Sequence, residues 1–217
     1  MTTYRAPVAD MQFLLRHVFR AEELFAAMPD TNEVNDELIN AILEEAGKLI
    51  EGLVAPFNQS GDQQGCKLEN GVVTTPAGFK QAFTAWAAGG WPGLTGSVEY
   101  GGQGMPKVLS ALIEEMNFGA NSSFALYTIL TTGVTLALSQ HGSEQLKQSY
   151  LPKLYAGTWT GTMCLTEPHA GTDLGLIHSR AIPNADGSYS VTGTKIFITA
   201  GEHDLTENII HLVLAKL

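Results

Sequence analysis

Cysteine is scarce in this chain, and its scarcity excludes disulfide-stabilised and cysteine-based zinc proteins. The 217 residues contain two cysteines, Cys66 and Cys164, which lie far apart and lack the spacing of metal ligands. Free thiols suit a reducing compartment, and the fold has to be held by a hydrophobic core. With 44% hydrophobic residues, the chain has enough apolar side chains to build one or two globular domains.

Basic residues are also few. Twelve Lys and Arg stand against 22 Asp and Glu, which gives a formal net charge of -10. Nucleic acids and anionic membrane surfaces would repel such a protein, so we expect neither as a partner. A small basic pocket for a phosphate-bearing cofactor remains compatible with this charge balance.

Long apolar runs are missing as well. The most apolar segment, 124–138, is interrupted by Thr128, Thr131, Thr132 and Gly133, whereas a membrane-spanning helix needs about 20 mostly apolar residues. We therefore expect a buried core helix and no membrane span. The first ten residues lack the basic start and apolar stretch of a secretory signal, so the predicted location is cytoplasmic.

Helical periodicity dominates roughly the first 155 residues. Apolar residues recur at helical spacing from Asn35 to Val54, with Asn35 as the cap and Pro56 as the terminator. A second helix is predicted from Thr75-Pro76 to Gly89-Gly90, with Phe79, Phe83, Trp86 and Ala87 on its buried face. The remaining predicted helices run from Met105-Pro106 toward Phe118, from Ser122 or Ser123 to Gln140, and from Gly142-Ser143 to about Gly157.

After Thr158 the sequence changes to short segments rich in β-branched and aromatic residues. The predicted strands are 159–165, 179–182, 188–192, 195–199 and 208–214. The predicted fold is therefore α+β, with an N-terminal extension (1–34), an all-α helical domain (35–157) and the start of an antiparallel β middle domain (158–217). Because so few strands leave an open sheet edge, we expect this β domain to be partial.

The residues that could carry chemistry lie in two segments of the β part. Residues 163–173 read M-C-L-T-E-P-H-A-G-T-D, and residues 193–201 read G-T-K-I-F-I-T-A-G. In the first, the Thr166 and Thr172 hydroxyls accompany turn amides that can bond a heterocycle and a pyrophosphate, although ordinary capped surface turns look the same. In the second, Phe197 and Thr199 are two apart and share one face of the predicted strand, which suits a flat ring ligand.

Both segments resemble the T-E-P-x-A-G-S-D and G-x-K-x-W-I-T-N-G signatures of acyl-CoA dehydrogenases in order and spacing. Y-G-G-Q-G-M-P from Tyr100 and the helix that follows His141 also match, so the resemblance covers nearly the whole chain. The N-terminal Y-R-A-P-V-A-D-M-Q-F-L-L is similar to a segment of larger bacterial members, including methylthiopropanoyl-CoA dehydrogenases. The chain departs from the signatures at Thr172 for serine, Phe197 for tryptophan and Ala200 for asparagine.

The resemblance implies an FAD flavoprotein of fatty acid metabolism that forms a trans-2-enoyl-CoA from an acyl-CoA thioester. It also implies an electron-transfer flavoprotein as acceptor and a homo-oligomer when the protein is full length. Met163, Leu165 and Thr166 would border the isoalloxazine, and Thr166 would bond its pyrimidine side.

The same resemblance assigns roles to three further residues. Thr172 would bond the FAD pyrophosphate and lie near the acyl-CoA substrate. Phe197 would stack beside the flavin ring, and Thr199 would bond near the hydride-accepting nitrogen. Each of these roles is inherited from the family signatures, and the departures at Thr172 and Phe197 keep the hydroxyl and the aromatic ring.

No residue of this chain is assigned as the catalytic base. In the family that base is a glutamate of a C-terminal helical domain, so we expect the base to lie outside these 217 residues. Glu167 is the only glutamate of the signature, and its expected role is structural, bonding backbone amides in its turn. The remaining candidates, predicted to be surface or turn histidines without a metal pattern, are His169, His178, His203 and His211.

Three functions remain open at this point. The leading expectation is the N-terminal portion of an FAD-dependent acyl-CoA dehydrogenase that is inactive alone, because its base would lie outside this chain. The second is an acyl-CoA oxidase or a related flavin monooxygenase, in which the flavin reacts with oxygen. The third is a short, non-catalytic interaction protein that keeps the helical half of the fold.

Overall fold

The computed structural model describes residues 3–29, 31 and 33–217. Positions 1, 2, 30 and 32 belong to the predicted N-terminal extension and lie outside the described residues. The α-helices are α1 (Val8–Phe13), α2 (Ala21–Ala26), α3 (Asp36–Leu49), α4 (Asn58–Gln64), α5 (Phe79–Ala88), α6 (Lys107–His141) and α7 (Glu144–Tyr155). The strands are β1 (Lys67–Glu69), β2 (Val72–Thr74), β3 (Trp159–Cys164), β4 (Arg180–Pro183), β5 (Tyr189–Thr192) and β6 (Asn208–Val213).

The N-terminal extension packs onto the helical half. Its helices α1 and α2 are joined by a π-helical turn, Leu14–Val18. Five of its apolar side chains are buried in the same cluster as residues of α3, α5 and α6. These five are Met11, Leu15, Ala21, Phe25 and Val34. Residues 3–29 therefore contribute to the main hydrophobic core.

Helix α3 begins and ends for reasons that the sequence makes visible. The Asn35 side chain accepts a hydrogen bond from the Leu38 amide at 2.9 Å, which caps the helix as predicted. The predicted helix to Val54 is α-helical only to Leu49 and continues as a π-helical turn, Ile50–Val54. Pro56 follows in a 3₁₀ turn, where its missing amide proton is not needed.

Thr75 does not cap α5, which corrects the sequence-based prediction. Its amide and hydroxyl both donate to the Asp204 carboxylate, at 3.0 and 2.7 Å, so the side chain is committed to a distant loop. The helix begins at Phe79 after Gly78, whose φ of 91° only glycine adopts at low cost. Phe79, Phe83 and Trp86 are buried as predicted.

Two predicted helices form the single 35-residue helix α6 with a kink at Asn121. Asn121 has φ -159° and ψ 90°, and its side chain accepts from the Phe124 amide at 3.1 Å. Asn121 thus caps the second half of the helix, the role predicted for Ser122 or Ser123. The cause is that Ser122 donates its hydroxyl back to the Phe118 carbonyl instead.

Helix α6 is long and apolar enough, by length and composition alone, to cross a membrane. The core helix of a soluble protein passes the same test. Phe124, Ala125 and Val134 have no exposed surface and pack inside the chain. The segment is helical as predicted, and one face of it is buried in the core, whereas Leu126 and Leu136 are exposed.

Among the described residues, the strands form three two-stranded pairs. The predicted strands 179–182 and 188–192 correspond to β4 and β5, which pair as an antiparallel hairpin, and the Asp186 carboxylate orders its turn by accepting from the Ser188 amide and hydroxyl. The pair β1–β2 was not predicted; it turns at Asn70-Gly71, both with positive φ. The pair β3–β6 is parallel, whereas the sequence predicted an antiparallel layer. The α+β fold itself is confirmed.

A chain of hydrogen bonds fixes the start of the parallel pair. The Leu205 amide donates to His203 Nδ1 at 3.2 Å, so the ring proton lies on Nε2 and is donated to Thr160 Oγ1 at 3.0 Å. Thr160 in turn donates to Thr206 Oγ1 at 3.1 Å, and Thr206 donates to the Asn208 carbonyl. His203 is therefore a buried structural residue, which corrects its prediction as a surface or turn histidine.

Candidate flavin site

Strand β3 delivers the first signature segment, and helix α6 holds β3 in place. The Gly161 amide donates to Thr131 Oγ1 at 3.1 Å. A Cβ at Gly161 would approach Val134 to 2.6 Å, so only glycine allows the strand this close to the helix. Beyond Cys164 the chain leaves β3 and enters the T-E-P turn. This close approach of β3 to α6 thus helps to fix the position of that turn relative to the helical half.

Glu167 organises the turn as a buried structural carboxylate. Its backbone exchanges hydrogen bonds with Ala170 at 2.9 and 3.0 Å, which closes the turn. Its carboxylate accepts from the His178 amide at 2.6 Å, the Ser179 amide at 3.0 Å and Lys195 Nζ at 2.9 Å. The His178 amide first, and then the other donors, hold the pKa of this carboxyl far below its ordinary value. The structural role predicted for Glu167 is confirmed.

The two signature segments lie side by side. The Ile196 amide donates to the Thr166 carbonyl at 2.9 Å, and Lys195 Nζ donates to the Leu165 carbonyl at 2.9 Å. Further along, Thr162 Oγ1 donates to the Thr199 carbonyl at 2.6 Å. Residues more than 25 positions apart in the sequence are thus brought together. Lys195, which bonds both Leu165 and Glu167, was not among the predicted site residues, although it is the lysine of the G-x-K signature.

The predicted strand 195–199 does not form, and this corrects the placement of Phe197 and Thr199. Phe197 and Ala200 both have φ of 55°, in the left-handed region that a strand excludes. The two-residue alternation of a strand therefore does not apply, and Phe197 and Thr199 do not share a strand face. Phe197 is 88% exposed, so nearly all of its ring is available to a ligand.

The other predicted residues differ in exposure. Met163 is 40% exposed on β3 between two buried neighbours, while Leu165 and Thr166 are half-buried. Thr172 is exposed in the loop before Asp173. Within the part of the chain that the structure describes, no hydrogen bond joins Thr172 to Phe197 or Thr199. The first and second segments are therefore linked at Leu165 and Thr166, and Thr172 stands apart from that link.

The chemistry of this surface fits a flavin. A flat heterocycle with a pyrophosphate needs an aromatic face, hydroxyl donors and backbone amides, and no titrating group against the ring. Phe197 supplies an uncovered aromatic ring, and Thr166, Thr172 and Thr199 supply hydroxyls. The best-enclosed cavity of the described residues lies elsewhere, between α5, α6 and β3; it holds about 30 Å³ and no residue of either signature lines it.

Two of the histidines predicted to lie at the surface or in turns are in contact with each other. The rings of His169 and His178 stack with centroids 3.9 Å apart and planes at 33°. His169 Nε2 donates to the Leu176 carbonyl at 3.1 Å. The contact arises because Glu167 binds the backbone at 178 and 179, which brings His178 back over the turn. Across the described ranges, no three His, Cys, Asp or Glu groups are arranged to hold a metal ion.

Known proteins are similar to this chain in sequence and in fold. The profile of the acyl-CoA dehydrogenase N-terminal domain matches residues 36–158. The chain is 45% identical to a 3-methylmercaptopropionyl-CoA dehydrogenase of Ruegeria pomeroyi over 99% of its own length and 36% of the relative's. It is 38% identical to a butyryl-CoA dehydrogenase of Syntrophomonas wolfei over 98% of its own length and 35% of the relative's.

Solved structures show the same similarity. An acyl-CoA dehydrogenase from Bacillus anthracis, complexed with FAD, superposes with a TM-score of 0.69 at 27% identity, over 85% of this chain and 29% of that chain. The chain thus spans about a third of the length of the curated relatives that it matches.

Proposed function

The chain belongs to the acyl-CoA dehydrogenase family, and on that premise we propose that it supplies one wall of the flavin site of an FAD-dependent acyl-CoA dehydrogenase. The reaction is the α,β-dehydrogenation of an acyl-CoA thioester to the trans-2-enoyl-CoA. The observation that carries the proposal is the pairing of the two signature segments at Thr166 and Ile196, beside an uncovered Phe197 ring. That pairing leaves the aromatic ring and the threonine hydroxyls available to one ligand.

Each residue of the wall has a distinct task in this proposal. Phe197 covers one side of the isoalloxazine, and Thr166 donates to its pyrimidine edge. Thr199 donates near the nitrogen that receives the hydride, where a hydrogen bond stabilises developing negative charge. Thr172 binds the pyrophosphate, and Met163 and Leu165 border the ring. The bound FAD would supply the two-electron chemistry, and this chain's residues position it.

The catalytic base lies outside this chain in our proposal. Glu167 is saturated by two amides and Lys195, and its pKa is held far below the range that a base for a Cα proton needs. It therefore holds the turn and takes no proton. We further propose an electron-transfer flavoprotein as the acceptor and a homo-oligomer as the assembly of the full-length protein, both on the family resemblance. The similarity to the Ruegeria pomeroyi enzyme supports a substrate of the kind that its subgroup uses.

Titration with FAD tests the proposed wall directly. We expect the purified chain to quench FAD fluorescence saturably and to turn yellow. Phe197→Ala should weaken FAD binding at least tenfold, because the stacking face is lost. Phe13→Ala is the matched control, since it removes another exposed phenylalanine far from the signatures and should leave binding unchanged. Equal affinities of the Phe197 variant and the parent chain would contradict the proposal.

Addition of an acyl-CoA to the flavin-loaded chain tests where the base resides. We expect no bleaching of the flavin absorption, because none of the signature residues is placed to remove the Cα proton. Rapid bleaching would show that a base exists within these 217 residues, and would leave the flavin wall intact as a proposal.

A further inference from the structure

A depression of about 340 Å³ lies between the T-E-P turn and the β4–β5 hairpin. We call it the basic pocket, because the cationic or imidazole side chains of His169, His178 and Arg180 line it. The hydroxyls of Ser179, Thr192 and Thr194 line it as well. None of these residues has a task in the proposed flavin wall. In a chain with a net charge of -10, a concave site with this composition requires an explanation.

Arg180 gives the basic pocket an uncompensated positive charge. Within residues 3–29, 31 and 33–217, no carboxylate lies within ion-pair distance of its guanidinium. The only carboxylate that lines the pocket is Glu167, and Lys195 neutralises it at 2.9 Å. Arg180 is also the direct partner of Thr192 in the register of the hairpin. The guanidinium N–H donors of Arg180 therefore lie on the same strand pair as the Thr192 hydroxyl.

Ser179 adds a buried donor without a partner. The side chain is 1% exposed, and its Oγ has no hydrogen-bond partner among the described residues. It lies close enough to Glu167 to help lower the pKa of that carboxyl, but outside hydrogen-bond geometry. Buried hydroxyls nearly always find a partner, so this hydroxyl, whose contact with Glu167 is not a well-formed hydrogen bond, can donate to an oxyanion in the pocket.

Glycine at position 193 keeps this part of the pocket open. A Cβ there would come within 2.1 Å of Ser179 Oγ, and Gly193 has a φ of 150°. In the same pocket, the His178 ring stacks on His169, and the ring nitrogens of His178 make no hydrogen bond to any described residue. The walls thus offer donors from several directions, and the one carboxylate is already saturated. Such an arrangement selects an oxyanion.

We propose that the basic pocket binds a phosphate group, with Arg180 as its charged ligand and His178, Ser179 and Thr192 as hydrogen-bond donors. The choice of phosphate over another oxyanion rests on the proposed function, because FAD and acyl-CoA both carry phosphates. The binding geometry itself rests only on this chain.

Inorganic phosphate is the first probe. In ¹H–¹⁵N correlation spectra of the chain at constant ionic strength, we expect saturable shifts at the amides of Ser179, Gly193 and Thr194. Arg180→Gln should weaken this binding at least tenfold, and Ser179→Ala should weaken it severalfold. Arg5→Gln is the matched control, because Arg5 is the exposed partner of Glu51 far from the pocket and its loss changes net charge equally. Non-saturable shifts, or an equal effect of the Arg5 and Arg180 variants, would overturn the proposal.

Nucleotides then identify the source of the phosphate. Competition by CoA but not by 3′-dephospho-CoA would assign the pocket to the 3′-phosphate of CoA. Competition by FAD but not by riboflavin would assign it to the pyrophosphate of FAD, and binding of inorganic phosphate alone would assign it to the free ion. The two proposals can fail separately. Normal FAD binding by the Arg180 variant would support the flavin wall independently of the basic pocket. Phosphate binding by a chain that does not bind FAD would support the basic pocket and contradict the flavin wall.

Discussion

The helical half and the β half of this chain are held together by different forces. Between α3 and α7, the interior is mainly apolar, and Leu43, Met116 and Phe124 have no exposed surface. From β3 onward, the structure depends on polar links such as Glu167 with Lys195 and His203 with Thr160. The difference shows where stability and recognition reside. The helical half is a packed support, and the polar groups of the β half hold its turns in place and so shape a surface.

The largest effect is expected from a cavity in the helical half. Phe124 is fully buried and meets Phe79 edge to face, with ring centroids 5.9 Å apart. Phe124→Ala should lower the free energy of unfolding by about 3–5 kcal/mol. The control Phe13→Ala removes a 58% exposed ring and should cost roughly 0.5 kcal/mol. Urea denaturation followed by circular dichroism measures both, and similar losses would contradict an apolar core centred on α6.

The junction between the halves should respond to added volume. Gly161→Ala forces a Cβ against Val134 and should destabilise the chain by about 1–3 kcal/mol. Gly133→Ala is the counterpart, because no atom lies within 4 Å of the new Cβ and alanine favours the helix by roughly 0.5–1 kcal/mol. The two glycines should therefore give opposite signs in thermal denaturation. Equal signs would mean that β3 is not seated on α6 as described.

Glu167→Gln should affect the β half and leave the helical half unchanged. The variant leaves Lys195 without its carboxylate and weakens the bonds from the His178 and Ser179 amides. Hydrogen exchange should therefore accelerate at these two amides, and not in α3. Because the folded pKa of Glu167 is depressed, its stabilisation is complete above the ordinary pKa of about 4.3 and is lost as the pH falls below it. The difference between parent and variant should shrink correspondingly in acid.

The smallest expected effect is a pH dependence from His203. Burial, partly offset by Glu202 and Asp204, lowers its pKa below the ordinary value of about 6.5. The unfolded chain therefore takes up the proton first, and stability should be complete above about pH 6.5 and fall as the pH drops below it. His203→Gln should flatten this slope in denaturant titrations between pH 7 and 5. An unchanged slope would place the titration elsewhere.

Local patterns predicted the helical half well. Asn35 and Ser143 cap α3 and α7 as expected, because a cap is a property of a few adjacent residues. The Asn70-Gly71 hairpin was missed although its turn signal is present, since strands of three residues carry little pattern of their own. The kink at Asn121 was hidden because it depends on a side chain that also donates to the Val54 carbonyl, 67 positions away.

The β half was less predictable for the same physical reason. The signature segments predicted the site residues, and of these Thr166 and Thr199 lie within the region where the two segments are linked. The left-handed conformation of Phe197 and the parallel pairing of β3 with β6 arise from contacts between distant segments, which a local pattern does not contain. His169 and His178 stack because Glu167 binds the backbone at 178. This contact forms only in the folded chain, so the spacing of the residues in the sequence does not predict it.

The kink in α6 has a consequence for cooperativity. The helix contributes Leu109, Ile113 and Phe124 to one buried cluster, and Val134 and Leu138 to a second cluster shared with α7. A straight helix would present these residues along one continuous stripe, whereas the half that follows the bend at Asn121 contributes Phe124 to the first cluster and Val134 and Leu138 to the second. Because both clusters contain side chains of α6, unfolding of one cluster removes the helix against which the other packs. The helical half should therefore behave as one foldon, with amide protection in both halves of α6 lost in the same step.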